Sequence, residues 1–201
     1  MRRTPALERR ATILKAALHL FARQGVTNTS TAEIAREANI AAGTLFLYFP
    51  TRQELLDQLA IQIGKEQSEY IRSMLNPHLS CEETFYTIWR GTIEWFIEHM
   101  PAFQYLQQVR DSGLISEAAV LESSSFFDYY YNAIQKGLAE GSIKPYSLGL
   151  IGDILYQDIV AVINHIKRQP AFEGYEEIVR QGFEIFWKGI KTDSPRLLKE
   201  E

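Results

Sequence analysis

The stretch from Ser30 to Phe49, STAEIAREANIAAGTLFLYF, constrains this chain more than any other. It reads as two short helices joined by a tight turn. Ser30 and Glu33 have the S-x-x-E spacing of a capping box, which satisfies otherwise orphan N–H groups at a helix start. Ile34, Ala35 and Ala38 then mark one apolar face at helical spacing. Asn39 follows the last apolar position and tolerates the left-handed backbone that closes a helix. A second helix runs from about Ala41 to Tyr48, with Leu45 and Tyr48 on one side. Two short helices, a turn of a few residues and small side chains at the crossing predict a helix-turn-helix.

The flanks read as helices too. Thr4-Pro5 resembles an N-cap followed by proline at the first helical position. Ile13, Leu14, Ala17, Leu18 and Phe21 form one buried stripe of helix 1, which ends near Gln24, with Gly25 as its left-handed stop. Thr51 and Glu54 cap helix 4. Its stripe is Leu55, Leu56, Leu59, Ala60 and Ile63, and Asn76-Pro77 ends it. Ser80 and Glu83 cap helix 5, which Met100-Pro101 breaks. Helix 6 covers about Ala102 to Arg110. One helix is expected from about Ser116 to Glu140, another from Ser147 to Arg168 and a last from Tyr175 to Lys191. The tail PRLLKEE is expected to fray. No period-two pattern appears. The expectation is an all-α fold of about nine helices, a three-helix head on a larger helical body.

The run from Leu20 to Leu56, LFARQGVTNTSTAEIAREANIAAGTLFLYFPTRQELL, closely resembles the DNA-binding domain of the TetR family of bacterial transcriptional regulators. The matching residues are Phe21, Gly25, Thr29-Ser30, Ile34-Ala35, Ala38, Gly43-Thr44-Leu45, Tyr48-Phe49 and Glu54-Leu55-Leu56. The resemblance by identity covers roughly the first third of the chain. It implies a DNA-binding domain over residues 1–52 and a ligand-binding and dimerisation domain over 53–201. It further implies a homodimer on double-stranded palindromic operator DNA, most often a repressor, released by a small-molecule effector. Two heads would then meet half-sites about 34–36 Å apart.

Charge distribution fits that expectation. Residues 1–56 hold eight Lys/Arg against four Asp/Glu, and residues 57–201 hold thirteen against twenty-one, although the net charge is −4. A basic head can meet phosphates while an acidic body resists nonspecific wrapping. Arg2, Arg3, Arg9 and Arg10 at the start of the chain suit flanking phosphates. Thr29, Ser30 and Thr31 can cap a helix and donate hydroxyl bonds to phosphate. Arg52 stands where the family places a phosphate-contacting base. Helix 3 departs from the family's pattern. Ala42 and Leu47 replace frequent polar or aromatic residues, Phe46 replaces a frequent Tyr, and Ala41 replaces a Ser cap. Beyond Gly43, the donors left are Thr44 and the Tyr48 hydroxyl. Apolar Ala42, Phe46 and Leu47 point to thymine methyls and DNA shape as the quantities read. Phe49 is expected in the core.

The body is rich in aromatics. Trp89, Phe96, Tyr105, Phe126, Phe127, Tyr130 and Tyr156 would line a cavity for an apolar or aromatic ligand. A buried Asp128 or Asp158 would add selection for a cation. The family resemblance places the last two helices at a dimer interface, to which Ile159, Val162, Ile163, Phe183, Phe186 and Trp187 would contribute. A helical small-molecule binder that has lost specific DNA recognition is the alternative, motivated by the bare helix 3.

Chemistry of other kinds is not indicated. His19, His78, His99 and His165 are scattered, and Cys81 is the only cysteine. No metal set, cofactor or catalytic constellation is expected. MRRTPALERR lacks the apolar core of a secretory signal, and no run of apolar residues is long enough to span a membrane. A cytoplasmic protein is the expectation.

Overall fold

A computed structural model describes residues 5–110, 112–169 and 174–193. The expectations for Arg2, Arg3, Thr4, Pro170 and the tail from Pro195 lie outside the described residues. Among the described residues ten helices follow one another: α1 (Pro5–Gln24), α2 (Thr31–Glu37), α3 (Ala42–Tyr48), α4 (Arg52–Met74), α5 (Cys81–Glu98), α6 (Met100–Val109), α7 (Glu117–Ser125), α8 (Asp128–Ala139), α9 (Leu148–Lys167) and α10 (Tyr175–Ile190). Among the described residues the only extended pairing is an isolated bridge between Ile143 and Lys191.

The boundaries follow local chemistry. Gly25 ends α1 at φ 93°, and Asn39 sits in the turn after α2 at φ 53°. At α5, the Ser80 amide donates to Glu83 Oε2 (2.8 Å) and the Glu83 amide to Ser80 Oγ (3.2 Å). At α4 the Glu54 amide donates to Thr51 Oγ1 at 3.0 Å, one arm of such a box. Pro101 falls in the first turn of α6, where its missing N–H is harmless.

One expectation fails here. The single helix predicted from Ser116 to Glu140 is two, because the first ends at its cap Phe126 and the backbone leaves helical geometry at Phe127. Three serines precede the break. Ser124 Oγ donates to Val120 O (2.8 Å) and Ser125 Oγ to Glu122 O (2.6 Å). Serine hydroxyls that compete for helix carbonyls weaken the ladder, although the apolar rhythm runs on across them.

Two compact units are distinguished: residues 1–66 with 99–126, and residues 67–98 with 127–201. The first has a core of Leu14, Phe21, Ile34, Leu45, Phe49, Leu56, Phe103 and Tyr105, among others. The second is built on α5, α8, α9 and α10. Its centre is a ring cluster in which Trp89 stacks on Phe186 (6.0 Å) and Phe183 on Trp187 (5.9 Å). The Trp89 indole N–H donates to Val179 O at 2.9 Å, so the ring is satisfied as well as buried. A Cβ at Gly182 would stand 2.5 Å from Val162 Cγ2 and 2.9 Å from the Trp89 ring. Glycine is therefore what lets α10 approach this closely.

Candidate nucleic-acid interface

The helix-turn-helix is held by a dense set of local bonds. Ser30 caps α2: the Glu33 amide donates to Ser30 Oγ (3.2 Å), and the Ser30 amide and hydroxyl both donate to Glu33 Oε2 (2.8 Å each). Those bonds hold the Glu33 carboxyl below the usual range. After Asn39, the Ile40 amide returns to Ala35 O at 2.9 Å. α3 starts at Ala41 without a side-chain cap, as its sequence implies. Leu45 and Phe49 anchor its inner side and are fully buried.

The outer side of α3 is apolar and open. Leu47 is 81% exposed and Phe46 44%. Ala42 and Gly43 are exposed, while Thr44 and Tyr48 are half-buried. No atom lies within 4 Å of a Cβ placed on Gly43, and its φ is ordinary. Nothing inside the fold requires glycine there, although glycine in a helix costs about 1 kcal/mol relative to alanine. Beside α3, Ala32, Arg36, Asn39, Ile40 and Ala42 border a shallow open depression.

Several residues assigned to phosphate on sequence grounds are already engaged within the chain. Thr29 is only 3% exposed, and its hydroxyl donates to Gly25 O at 2.8 Å. Ser30 is occupied by the capping box. Arg52 Nη1 donates to Thr29 O and Nη2 to Val26 O, both at 2.5 Å, and its guanidinium lies 5.8 Å over the Phe21 ring. The positive charge thus braces the α1–α2 turn from the start of α4. Arg10 bonds Gln58 and stands 5.3 Å over Phe49. Arg9 is exposed, and Thr31 is half-buried at the first turn of α2.

A second brace comes from α6, which sequence reading placed in the body. The Val26 amide donates to Gln108 Oε1 (2.8 Å), and Gln108 Nε2 donates to Phe21 O (3.1 Å). Tyr105 stacks on Phe21 (5.7 Å), and its hydroxyl donates to Leu56 O at 2.8 Å. Gln108 was legible only as a polar residue on the polar side of a short helix, so nothing in the spacing marked it.

The ligand residues divide as well. Trp89, Phe96 and Tyr105 are buried, and Phe126, Phe127, Tyr130 and Tyr156 are half-buried. Asp128 is exposed and paired with Arg72, so it is not the buried carboxylate envisaged. Asp158 is half-buried, and burial raises its carboxyl. Of the expected dimer residues, Ile159, Ile163, Phe183, Phe186 and Trp187 fill the interior of the chain itself, which leaves Val162 half-buried. Their apolar spacing marks burial without saying which chain supplies it. The exposed apolar positions of these two helices are Leu150, Ile154 and Ala161 on α9 and Ile185 on α10. Cys81 is buried, and its thiol is pushed up to about 11. Among the described residues no group of His, Cys, Asp or Glu could hold a metal ion, and no helix is long and apolar enough to cross a membrane.

The comparisons with known proteins agree with this geometry. Residues 13–59 match the family model of bacterial regulatory proteins, tetR family. The chain is 24% identical over 166 residues to the uncharacterized HTH-type transcriptional regulator YhgD of Bacillus subtilis, spanning 82% of this chain and 87% of that protein. It is 24% identical over 214 residues to the HTH-type transcriptional regulator SrpR of Pseudomonas putida, spanning 98% and 92%. A crystal structure of a putative tetR family transcription regulator from Shewanella sp. PV-4 superimposes with a TM-score of 0.85 at 25% identity, covering 94% of this chain and 100% of that one.

Proposed function

The chain belongs to the TetR family of bacterial transcriptional regulators, and from that premise we propose a homodimeric repressor that a small apolar or aromatic ligand releases from a palindromic operator. It is a DNA-binding regulator and not an enzyme. The observation that carries the proposal is the outer side of α3, an apolar face on a helix whose inner side is locked in the core. Residues 1–52 are the DNA-binding part and 53–201 the ligand-binding and dimerisation part in this reading.

Leu47, Phe46 and Ala42 meet thymine methyls in the major groove, and Thr44 and the Tyr48 hydroxyl supply the polar contacts. Gly43 lets the DNA backbone approach, which gives that glycine a reason from outside the fold. Thr31 at the start of α2 and Arg9 on α1 meet phosphates. Arg52, Thr29 and Ser30 serve that contact indirectly by fixing the turn that presents α2. Leu150, Ile154, Ala161 and Ile185 supply apolar surface to the second protomer.

A ligand that binds one conformation of the dimer better than another shifts the population by that difference and by no more. Equal ligand affinity for free and operator-bound dimer would sink the release mechanism. The direct test is selection of bound sequences from a random DNA library, followed by affinity against salt. The expected result is an enriched inverted repeat with thymines facing α3. Replacing those thymines by uracil removes only the methyl and should weaken binding by about fivefold per half-site. No enriched repeat, with weak and steeply salt-dependent binding, would leave only phosphate attraction. The chain would then be a small-molecule binder.

A further inference from the structure

The turn between α1 and α2 depends on a side chain from far along the chain. Gly25 takes the backbone out of α1 at φ 93°, where the helix no longer offers the next amide a carbonyl. That amide belongs to Val26, which is buried, so solvent does not replace the missing partner. Gln108 of α6 does. The Val26 amide donates to Gln108 Oε1 at 2.8 Å, and Gln108 Nε2 donates at 3.1 Å to Phe21 O, 87 residues away. One neutral amide group thus grips the last turn of α1 and the first residue beyond its glycine stop. A further bond from Nε2 to Gln104 O (3.1 Å) steadies the side chain along α6.

Gln108 acts from a fixed base. Its helix and the segment after it are fastened to the first turns of α4. The Tyr105 hydroxyl donates to Leu56 O (2.8 Å), the Ser116 amide to Asp57 Oδ1 (2.9 Å) and Gln53 Nε2 to Leu114 O (2.8 Å). The same end of α4 carries Arg52, which donates to Val26 O and Thr29 O. The N–H of Val26 is therefore held from α6 and its C=O from α4. Bonds within the turn take up the rest: Asn28 Nδ2 donates to Gln24 O (3.0 Å) and the Thr29 hydroxyl to Gly25 O (2.8 Å). Ser30 then caps α2. With so little slack between Val26 and the cap, a displaced Val26 displaces the start of α2.

We propose that Gln108 is a positioning residue of operator recognition: from α6, and without touching DNA, it sets where α2 begins and so the register in which α2 and α3 meet the duplex. The proposal rests on the operator-binding reading above and extends recognition to a residue well outside 1–52. Base contacts work only in register, whereas attraction to phosphate charge tolerates displacement. Loss of Gln108 therefore acts on the preference for the operator over other DNA and spares the general attraction to DNA. It also leaves every charge of the head in place, because the side chain is neutral.

The test compares two variants of the full chain. Gln108→Met keeps the length of the side chain and removes its bonds. Val109→Ala opens a hole at the next, buried position of α6 and keeps them. Affinities for the selected operator and for a scrambled duplex are measured at one salt concentration, well below the melting temperature of each protein. Gln108→Met should lose about tenfold of the wild-type preference, with affinity for the scrambled duplex unchanged. Amide exchange should accelerate over residues 25–31 while α5 and α10 keep their protection. Val109→Ala should lower Tm and keep the preference. Full preference in Gln108→Met would overturn the proposal. So would an equal loss in Val109→Ala, which would make the effect one of general loosening. If Gln108→Met does not fold, Gln108→Glu keeps the acceptor for Val26 and removes only the donor to Phe21 O. A loss of about threefold is then expected, and full preference overturns the proposal again. Wild type with no preference between the two duplexes is a different failure, since it removes the operator reading itself and this proposal with it.

Discussion

Tyr105 and Tyr129 set the two units against each other. Both are deeply buried, and burial raises both phenols. Tyr105 donates to the Leu56 carbonyl, whereas the polar neighbours of Tyr129 are side chains, Ser68 beside its hydroxyl and Arg72 over its ring. The contrast extends to their neighbours. Arg52, Gln108 and Thr29 in the first unit are tied to backbone groups of the α1–α2 turn, while the second is centred on ring packing around Trp89 and Phe183. A surface that must match a rigid duplex gains from preorganisation, because binding then orders little.

The largest expected effect is in the second unit. Trp89→Ala should cost about 3–5 kcal/mol, through lost ring packing and the lost indole bond to the Val179 carbonyl. Amide exchange should accelerate in α5, α9 and α10 while α2 and α3 keep their protection. Equal acceleration in both units would erase the distinction between them. Arg52→Ala should cost about 2 kcal/mol, because two carbonyls lose a charged donor. The salt slope of operator binding should stay the same. A slope shallower by about one would instead make Arg52 a phosphate contact. Tyr105→Phe should cost about 1 kcal/mol in a thermal melt, because its hydroxyl donates to the Leu56 carbonyl. Leu47→Ala should move stability by less than about 0.5 kcal/mol yet weaken operator binding about fivefold, as titration of a labelled operator would read.

The smallest effect is one of pH. The folded Glu33 carboxyl lies below its ordinary value because Ser30 bonds it. Its contribution is present above the ordinary carboxylate range and is lost as pH falls through the lowered folded value. Ser30→Ala should therefore flatten part of the acid limb of a Tm–pH curve. An unchanged acid limb would mean that the box does not hold in solution.

Much of this was legible in residues whose consequences are local. The capping boxes at Ser30 and Ser80, the left-handed Asn39 and Gly25, and the proline at α6 act within one turn of chain, so spacing alone announces them. The break at Phe126–Phe127 was missed because the apolar rhythm continues while the serines undo the ladder. The inward commitment of Thr29, Arg52 and Gln108 was not legible, since a polar side chain gives no sign of whether its partner is solvent, phosphate or a carbonyl elsewhere.

The amino-acid sequence by itself determined the all-helical class, the helix-turn-helix and the apolar character of α3, because periodicity and capping are properties of consecutive residues. Tertiary structure decided which side of each helix is inside. It put Ile163 and Phe186 in the interior and Ile154 and Ile185 on the surface, and bound Gln108 to the α1–α2 turn. Those outcomes depend on contacts between residues far apart in the chain, which no local pattern encodes.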